Sequence, residues 1–302
     1  MAFTAQDVKT LREMTNCGMM DCKKALTETD GDMDKAVEFL REKGLATAAK
    51  KAGRIASEGM VEAVVLGDAA VAVEVNSETD FVAKNVDFQN FVHAIAEVIA
   101  KENPADVEAL KEMKINDTQT VGDALTEKIA TIGENMNIRR FARFEGVNQA
   151  YIHAGGRIGV LVNFEIADAS KAETEEFKTM AKDVAMQIAA VTPEYVREDE
   201  IPAERVEKEK EILTAQALNE GKPANIVEKM VVGRIKKFFK EICLVDQAFV
   251  KDQDITVGQY VQNVAKALGT DINIVKFARL EKGEGLEKKE ENFADEVAKM
   301  MK

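Results

Sequence analysis

The sequence predicts an α+β protein with a duplicated core, and the main evidence is two internal matches within the chain. Residues 61–100 align without a gap on the residues 89 positions later, so that Val71 falls on Val160. Residues 120–145 align in the same way 136 positions later. The two shifts differ by 136 − 89 = 47, so the second copy must contain an insertion of that net size between about residues 189 and 246. The predicted order is an N-terminal three-helix bundle, the duplicated α+β core with an antiparallel coiled-coil insertion, and a C-terminal helix.

Residues 1–45 are predicted to form a small bundle of three short helices. Asp32 is a suitable N-cap for the third helix, and Gly44 is predicted to end it. Residues 46–57 are rich in Ala, Lys and Ser. We predict that they form a linker between modules, with a solvated helix as the alternative.

Each copy of the core combines a strand with an amphipathic helix. In the first copy Val71, Val73 and Val75 alternate with small or polar residues, which is the period of a half-buried strand. From Phe88 to Ile99 the apolar residues recur at spacings of three and four, the stripe of an amphipathic helix. Both periods persist in the second copy. The predicted core subdomains are residues 58–145 and residues 146–202 with 243–282.

Residues 203–242 are predicted to form the insertion, an antiparallel coiled-coil hairpin. A highly charged segment leads to a break at Gly221-Lys222-Pro223, and a narrow apolar stripe follows. The stripe consists of Val227, Val231, Ile235, Phe238 and Ile242. A projecting arm is suited to contact with another molecule, and a buttress that only packs on the core is the alternative.

Residues 283–302 are predicted to form a C-terminal helix module behind a glycine-containing hinge. Phe293, Val297 and Met300 would lie on one face of that helix. The face could pack on the chain's own core or on a partner, and periodicity does not distinguish the two.

Composition and charge favour a protein partner. The 302-residue chain has a net charge of −13, which disfavours broad binding to the phosphate backbone of nucleic acids. Its first residues lack the basic and apolar regions of a signal peptide, and no stretch approaches the ~18 apolar residues of a membrane span. The three cysteines, Cys17, Cys22 and Cys243, form no even framework, which favours a reducing cytoplasm. We interpret Cys17 and Cys22 as small core residues and not as zinc ligands.

The sequence offers no constellation for catalysis or for holding a cofactor. It contains neither a Gly-rich phosphate loop of the Walker type nor a strand–GxGxxG–helix unit. The two histidines, His93 and His153, have no Ser or Cys nearby in a recognisable nucleophile elbow. We therefore predict a binding protein without metal or cofactor, and not an enzyme.

One strand-to-helix connection differs between the two copies. Thr79–Val82 follow the first-copy strand, and Phe81 fits neither the strand pattern nor the helix pattern. Phe81 is either a wedge beside Asp80 for the surface of another molecule or a staple folded back against the following helix. The 89-residue shift places Asp168-Ala169-Ser170-Lys171 there in the second copy. We infer a shared scaffold with one specialised loop that has no counterpart in the second copy.

The segment Thr79-Asp80-Phe81-Val82-Ala83-Lys84 resembles the signature loop of elongation factor Ts. That family comprises the guanine-nucleotide exchange factors of bacterial and organellar elongation factor Tu. Thr15–Leu26 resembles the opening signature of the family, and Gly155–Val162 resembles its second-half strand. The resemblance extends from about residue 5 to residue 297.

The resemblance implies a partner and a role for particular residues. The loop of Thr79, Asp80, Phe81 and Val82 would dislodge Mg²⁺ from elongation factor Tu. Further contacts with the partner are implied at Met19, Met20, His153, Arg157, Phe293 and Val297. The N-terminal bundle would be a ubiquitin-associated-like module that docks on the partner, in a heterodimer or a two-plus-two heterotetramer without nucleic acid or membrane. The alternative is a ubiquitin-associated-type adaptor that binds its targets without catalysing exchange.

Overall fold

The structure is a computed structural model that describes residues 3–15, 17–221 and 223–287. Its helices and small antiparallel sheets confirm the predicted α+β class. No helix within those ranges is long and apolar enough to cross a membrane. The apolar face predicted for the C-terminal helix, with Phe293 and Val297, lies outside the described residues.

The first three helices form a bundle, as predicted. They are α1 (Ala5–Thr15), α2 (Met19–Glu28) and α3 (Met33–Lys51). The fully buried residues of the bundle are Leu11, Cys22, Ala25, Leu26 and Ala36. Asp32 caps α3 by accepting a hydrogen bond from the backbone N–H of Lys35 at 3.1 Å. Such a cap stabilises the helix because its first N–H groups have no partner inside it.

The core that follows contains two copies of one unit. The first copy comprises β1 (Glu58–Leu66), β2 (Ala69–Ser77), α4 (Asp80–Ala83), α5 (Val86–Glu102), α6 (Val107–Glu112), α7 (Val121–Ile132) and β3 (Met136–Glu145). The second copy comprises β4 (Val147–His153), β5 (Ile158–Ile166), α8 (Glu175–Val191), α9 (Ala203–Asn219), α10 (Ala224–Ile242), β6 (Ala248–Phe249), β7 (Asp252–Thr256), α11 (Val257–Leu268) and β8 (Ile272–Glu281).

Whole elements confirm both internal shifts. Moving β2 and α5 by 89 positions gives the bounds of β5 and α8, and moving α7 and β3 by 136 positions gives those of α11 and β8. Local details repeat as well, because the register of β2 shifts after Glu74 and that of β5 shifts after Asn163, its counterpart. Capping boxes begin α7 at Thr120 and α11 at Thr256. Since the scaffold repeats so closely, residues that differ between the copies indicate specialisation.

The third helix does not end at Gly44, so that prediction was wrong. α3 continues to Lys51, and the buried Gly44 packs against α7. A Cβ added to this glycine would lie 3.6 Å from Ala130 Cβ. Packing against α7 outweighs the poor helix propensity of one glycine, which costs about 1 kcal/mol in a helix interior. The predicted linker 46–57 is therefore helical as far as Lys51, which matches the alternative of a helix for that part.

Each copy forms a three-stranded antiparallel sheet, in the orders β1-β2-β3 and β4-β5-β8. Helices of the same copy cover one face of each sheet. The other two faces pack on each other, and the core between them includes Val61, Ala72, Leu161 and Leu280. The two sheets approach each other closely at Gly159, where an added Cβ would lie only 2.4 Å from Val61 Cγ1.

Strand β2 is buried on both faces, so the predicted half-burial was wrong. All nine of its residues are buried. α5 covers the face that carries Val71 and Val73, and the second sheet covers the face that carries Ala70 and Ala72. Alternation of valine with small residues therefore reflects two different packing layers in this strand. The side chain of Glu74 consequently has no exposed area.

The insertion in the second copy is a helical hairpin, as predicted from the difference between the shifts. α9 and α10 are joined by a short turn and pack along each other. Val227 and Val231 of α10 pack on Ala217 of α9, and Ile242 packs beside Ile201 where the hairpin joins the core. The arm therefore has its own small apolar seam.

Replacing residues 204–240 by a short Gly/Ser linker should leave the duplicated core folded, since the first copy folds without an arm. Ile242 stays in place because its carbonyl accepts from the backbone N–H groups of Glu194 at 2.9 Å and Tyr195 at 3.1 Å. The deletion removes the partly buried Val206, Phe238 and Phe239 from the base of the arm, and we expect a loss of about 1.5–3 kcal/mol in the free energy of unfolding, the value for full burial of one such side chain. Thermal unfolding followed by circular dichroism measures this. Loss of the cooperative transition would contradict the prediction and show the arm to be structural.

Candidate functional site

The connection between β2 and α5 places an aromatic side chain in solvent. Phe81 lies on the short helix α4 and is 79% exposed, so the alternative in which it folds back as a staple is wrong. The next residue, Val82, is buried in the core of the first copy and anchors the helix. Full burial of a phenylalanine side chain contributes about 1.5–3 kcal/mol. Phe81 is therefore available for contact with another molecule.

Thr79 fixes the start of this short helix. Its hydroxyl accepts from the backbone N–H of Val82 at 3.5 Å and donates to the Glu134 carboxylate at 2.7 Å. Its own backbone N–H donates to the same carboxylate at 3.0 Å. Glu134 could not be recognised from the sequence, because it lies 55 positions further along the chain and only the pairing of β2 with β3 brings it here.

Asp80 presents a negative charge beside Phe81. Lys84 Nζ donates to the Asp80 carboxylate at 2.6 Å and lies 5.9 Å from the centre of the Phe81 ring. The hydrogen bond from Lys84 lowers the pKa of Asp80, and the positive charges of Lys84 and Lys282 add to this effect. Asp80 is therefore ionised at neutral pH.

The second copy has a helical turn at the corresponding place, so the prediction that the loop has no counterpart was wrong for the backbone. A 3₁₀ helix spans Ala169–Glu173, and its N-cap Asp168 occupies the position of Thr79. The side chains do differ, because Ser170 occupies the position of Phe81. The copies share a turn, and only the first copy carries an aromatic residue on it.

Two further predicted contact residues flank the turn between β4 and β5, His153 at the end of β4 and Arg157 directly before β5. Both are exposed. Tyr151 Oη lies 3.1 Å from His153 Nδ1, and Arg157 Nη2 lies 3.1 Å from the Glu281 carboxylate. The Arg157 carbonyl accepts from the backbone N–H of Lys282 at 2.8 Å. The Gly156 carbonyl of this turn accepts from the backbone N–H of Val61 on β1 at 2.8 Å, and β1 also contacts α4.

The predicted contact residues of the bundle are exposed at the start of α2. Met19 and Met20 both project into solvent there. The bundle contacts the core through α3 and α7, with Arg41 Nη2 2.5 Å from the Asp123 carboxylate. The remaining two predicted contacts, Phe293 and Val297, lie outside the described residues.

Comparison of the sequence with known proteins identifies the family of this chain. The family model described as Elongation factor TS matches residues 78–284, which is more than half of the chain. The chain is 56% identical over 303 aligned residues to the elongation factor Ts of Clostridium perfringens (strain SM101 / Type A), covering 99% of each chain. It is 55% identical to that of Clostridium novyi (strain NT), covering 99% of this chain and 98% of the relative. It is 54% identical to that of Clostridioides difficile (strain 630), covering 99% of each chain.

The chain belongs to the elongation factor Ts family. The resemblance of the 79–84 segment to that family is thereby confirmed. The elongation factor Ts match begins at Glu78 and ends at Glu284, so it contains the Phe81 helix, the rest of the first copy after β2, the whole second copy and the helical arm. Translation elongation and guanine-nucleotide exchange are the functions that this family name carries.

This member of the elongation factor Ts family also contains a buried carboxylate that sequence reasoning missed. Glu74 accepts hydrogen bonds from Arg139 Nη1 at 3.0 Å, Arg140 Nε at 2.6 Å and the backbone N–H of Gly283 at 2.8 Å. These contacts join the central strand of the first copy to the chain directly after β8. An acid in a strand of valines and alanines was the available signal, but these three partners lie 65 to 209 positions away, and only Asn76, which donates to Glu74 Oε1 at 3.1 Å, is near in sequence.

The three cysteines of this chain are poor nucleophiles. Burial raises the pKa of all three thiols, and that of Cys243 reaches about 12, with the charges of Asp246 and Glu198 adding to the effect of burial. A thiol becomes reactive as its thiolate, so these groups are inert at neutral pH. The interpretation of Cys22 as a core residue is confirmed, and Cys17 is half-buried.

Proposed function

We propose that this chain is a guanine-nucleotide exchange factor that binds elongation factor Tu with GDP and promotes exchange for GTP during translation elongation. The observation that carries the proposal is the exposed Phe81 beside the ionised Asp80 on an anchored short helix, in a chain of the elongation factor Ts family. Exchange requires no catalytic group of its own, because it changes binding affinities and makes no covalent bond.

Thermodynamic linkage supplies the mechanism. A GTPase holds its nucleotide through a phosphate loop and a bound Mg²⁺. A protein that prefers the nucleotide-free form must weaken nucleotide binding by the same factor by which nucleotide weakens its own binding. Each ~1.4 kcal/mol of that preference corresponds to a tenfold change in affinity. Contacts formed only with the nucleotide-free partner therefore drive GDP release.

Phe81 and Asp80 have complementary parts in this mechanism. The Phe81 ring inserts between side chains of the partner and shifts a helix there, with the burial of the ring as the driving force. The Asp80 carboxylate brings negative charge towards the water shell of the partner's Mg²⁺ and disturbs its coordination. Thr79 and Val82 support both residues, Thr79 by capping α4 and Val82 by anchoring it in the core.

Other surfaces complete the complex in this proposal. The exposed Met19 and Met20 at the start of α2, and the turn with His153 and Arg157, provide further contacts with elongation factor Tu. The complex is a heterodimer or a two-plus-two heterotetramer in the cytoplasm, without nucleic acid or membrane. The net charge of −13 supports a protein partner.

The test is the rate at which fluorescent GDP leaves elongation factor Tu in the presence of excess unlabelled GDP. Adding this chain at micromolar concentration should raise that rate by about tenfold or more. A ubiquitin-associated-type adaptor would bind elongation factor Tu in a parallel calorimetric titration without changing GDP release. Binding without acceleration would therefore reject the proposal in favour of the adaptor.

A further inference from the structure

The turn that follows α7 is hydrogen-bonded to the residues directly before α4. It accepts from Thr79 through Glu134 and donates to Glu78 through Asn135. The carboxylate of Glu134 accepts from the backbone N–H and the hydroxyl of Thr79. One residue further on, the backbone N–H of Asn135 donates to Glu78 Oε1 at 2.6 Å. Hydrogen bonds to an ionised acceptor are shorter and stronger than those between neutral groups. Residues 78–79 and residues 134–135 are therefore hydrogen-bonded to each other at successive positions.

The same turn, residues 133–135, also contacts the N-terminal bundle. Asn135 Nδ2 donates to the Arg54 carbonyl at 2.7 Å, and Lys51 Nζ at the end of α3 donates to the Gly133 carbonyl. Gly133 has φ of 86°, a left-handed conformation that glycine adopts without strain. The turn consequently lies between the bundle and the start of α4.

The second copy keeps this contact but changes its chemistry. Its counterpart of Thr79 is Asp168, and its counterpart of Glu134 is Thr270. The backbone N–H of Asp168 donates to Thr270 Oγ1 at 3.0 Å. The first copy thus has two hydrogen bonds to a charged acceptor where the second has one to a neutral hydroxyl. The stronger contact belongs to the copy that carries Phe81.

The Phe81 helix needs such a contact because it cannot orient itself. A helix of four residues is too short to be stable alone, since nucleation fixes several residues for one hydrogen bond. Val82 anchors α4 at one point, and Phe81, being 79% exposed, is not held by packing. The direction of the ring is therefore set through the backbone, and Thr79 is the residue through which the rest of the fold acts on that backbone.

We propose that Glu134 is a positioning residue for nucleotide exchange. Its carboxylate fixes the start of α4 so that Phe81 and Asp80 meet the partner in one orientation. This inference rests on the proposed function, because it takes Phe81 to act on elongation factor Tu. In the proposed mechanism the contacts of Phe81 form only with the nucleotide-free partner, so ordering α4 beforehand reduces the entropy lost at the release step and not at the first encounter. Loss of Glu134 should thus lower the maximal rate of GDP release more than it changes the concentration of this chain that gives half of that rate.

The experiment measures GDP release from elongation factor Tu as a function of the concentration of the full chain. Glu134→Ala removes both acceptors and should lower the maximal rate about tenfold, the factor that corresponds to one hydrogen bond to a charged group. Glu134→Gln keeps one oxygen as an acceptor and should fall between the wild type and Glu134→Ala. Thr270→Ala removes the corresponding contact of the second copy and should leave the maximal rate unchanged. Thermal unfolding of each variant separates a change in exchange from a change in stability.

A double variant with Phe81→Ala decides how Glu134 acts. If Glu134 works mainly through the placement of Phe81, then Glu134→Ala should cost much less in a chain that already carries Phe81→Ala than in the wild type, and the remaining loss acts through Asp80. Defects that multiply would show an independent role and overturn the inference, as would a wild-type maximal rate in Glu134→Ala. An equal loss in Thr270→Ala, or a loss that follows thermal stability alone, would show a purely structural role.

If Phe81→Ala has no effect, the loop assignment of the proposed function fails and this inference fails with it. If only Glu134→Ala has no effect, the proposed function stands.

Discussion

Replacing Asp80 and Phe81 together by alanine should lower the accelerated release of GDP from elongation factor Tu by about tenfold or more, because burial of the Phe81 ring alone is worth about 1.5–3 kcal/mol. The fold should not change, since both side chains are exposed and such substitutions usually alter the free energy of unfolding by less than about 0.5 kcal/mol. The measurements are the GDP release rate at saturating concentration and a thermal unfolding curve.

Single variants separate the two contributions to that loss. Phe81→Ala removes the ring and leaves the Asp80–Lys84 ion pair in place, whereas Asp80→Asn keeps the shape of the side chain and removes its charge. Ser170→Ala is the matched control, because residue 170 occupies the position of Phe81 in the second copy and is also exposed. The control should exchange nucleotide at the wild-type rate. Wild-type exchange in the folded double variant would rule out the assigned role of this loop.

The duplicated fold could be predicted because its strands and helices produce local periodic patterns of apolar residues. Strand and helix patterns depend on neighbours two to four positions apart, and a repeated pattern at a fixed shift reveals a repeated unit. The predictions for the end of α3 and for the burial of β2 were wrong because tertiary packing outweighed the local sequence pattern there. Gly44 continues a helix because α3 packs on α7, and β2 is buried on both faces because a second sheet covers the alanine side. Neither neighbour is visible from the residues around those positions.

The candidate site could be predicted only in part for a related reason. Phe81 stood out because it fits no period, and the choice between an exposed and a packed ring required the anchored position of Val82 beside it. Glu134 and Glu74 act on residues far away in sequence. Their partners are set by the β2–β3 register and by the return of the chain after β8. A carboxylate with such partners looks in the sequence like any other surface acid.

Glu74→Ala should be the most destabilising single substitution among those considered. The carboxylate is completely buried and accepts hydrogen bonds from Arg139, Arg140 and the backbone of Gly283. Its removal takes this acceptor away from all three donors, and breaking a buried pair from one side costs about 3–5 kcal/mol when the remaining charge is buried and unpaired. Arg139 and Arg140 are partly exposed and keep their contacts with Glu284, so the loss should lie near or below the lower end of that range. Chemical denaturation followed by circular dichroism should show that loss in the free energy of unfolding. Glu165→Ala, an exposed glutamate on β5, is the control and should change it by less than about 0.5 kcal/mol.

The contribution of Glu74 should also depend on pH with a defined sign. Burial by itself would raise the pKa of Glu74, but the hydrogen bonds from Gly283, Arg140, Asn76 and Arg139 outweigh it and lower the pKa below the ordinary value. A carboxyl group with a lowered pKa in the folded state stabilises the fold above its unfolded pKa, about 4.3 for glutamate, and loses this contribution as pH falls through the folded value. The wild type should therefore lose stability below about pH 4.3 more steeply than Glu74→Gln, which has no proton to take up at this position. Equal slopes for the two proteins would show that the pKa of Glu74 does not change on folding, and a shallower loss in the wild type would show that it is raised in the fold.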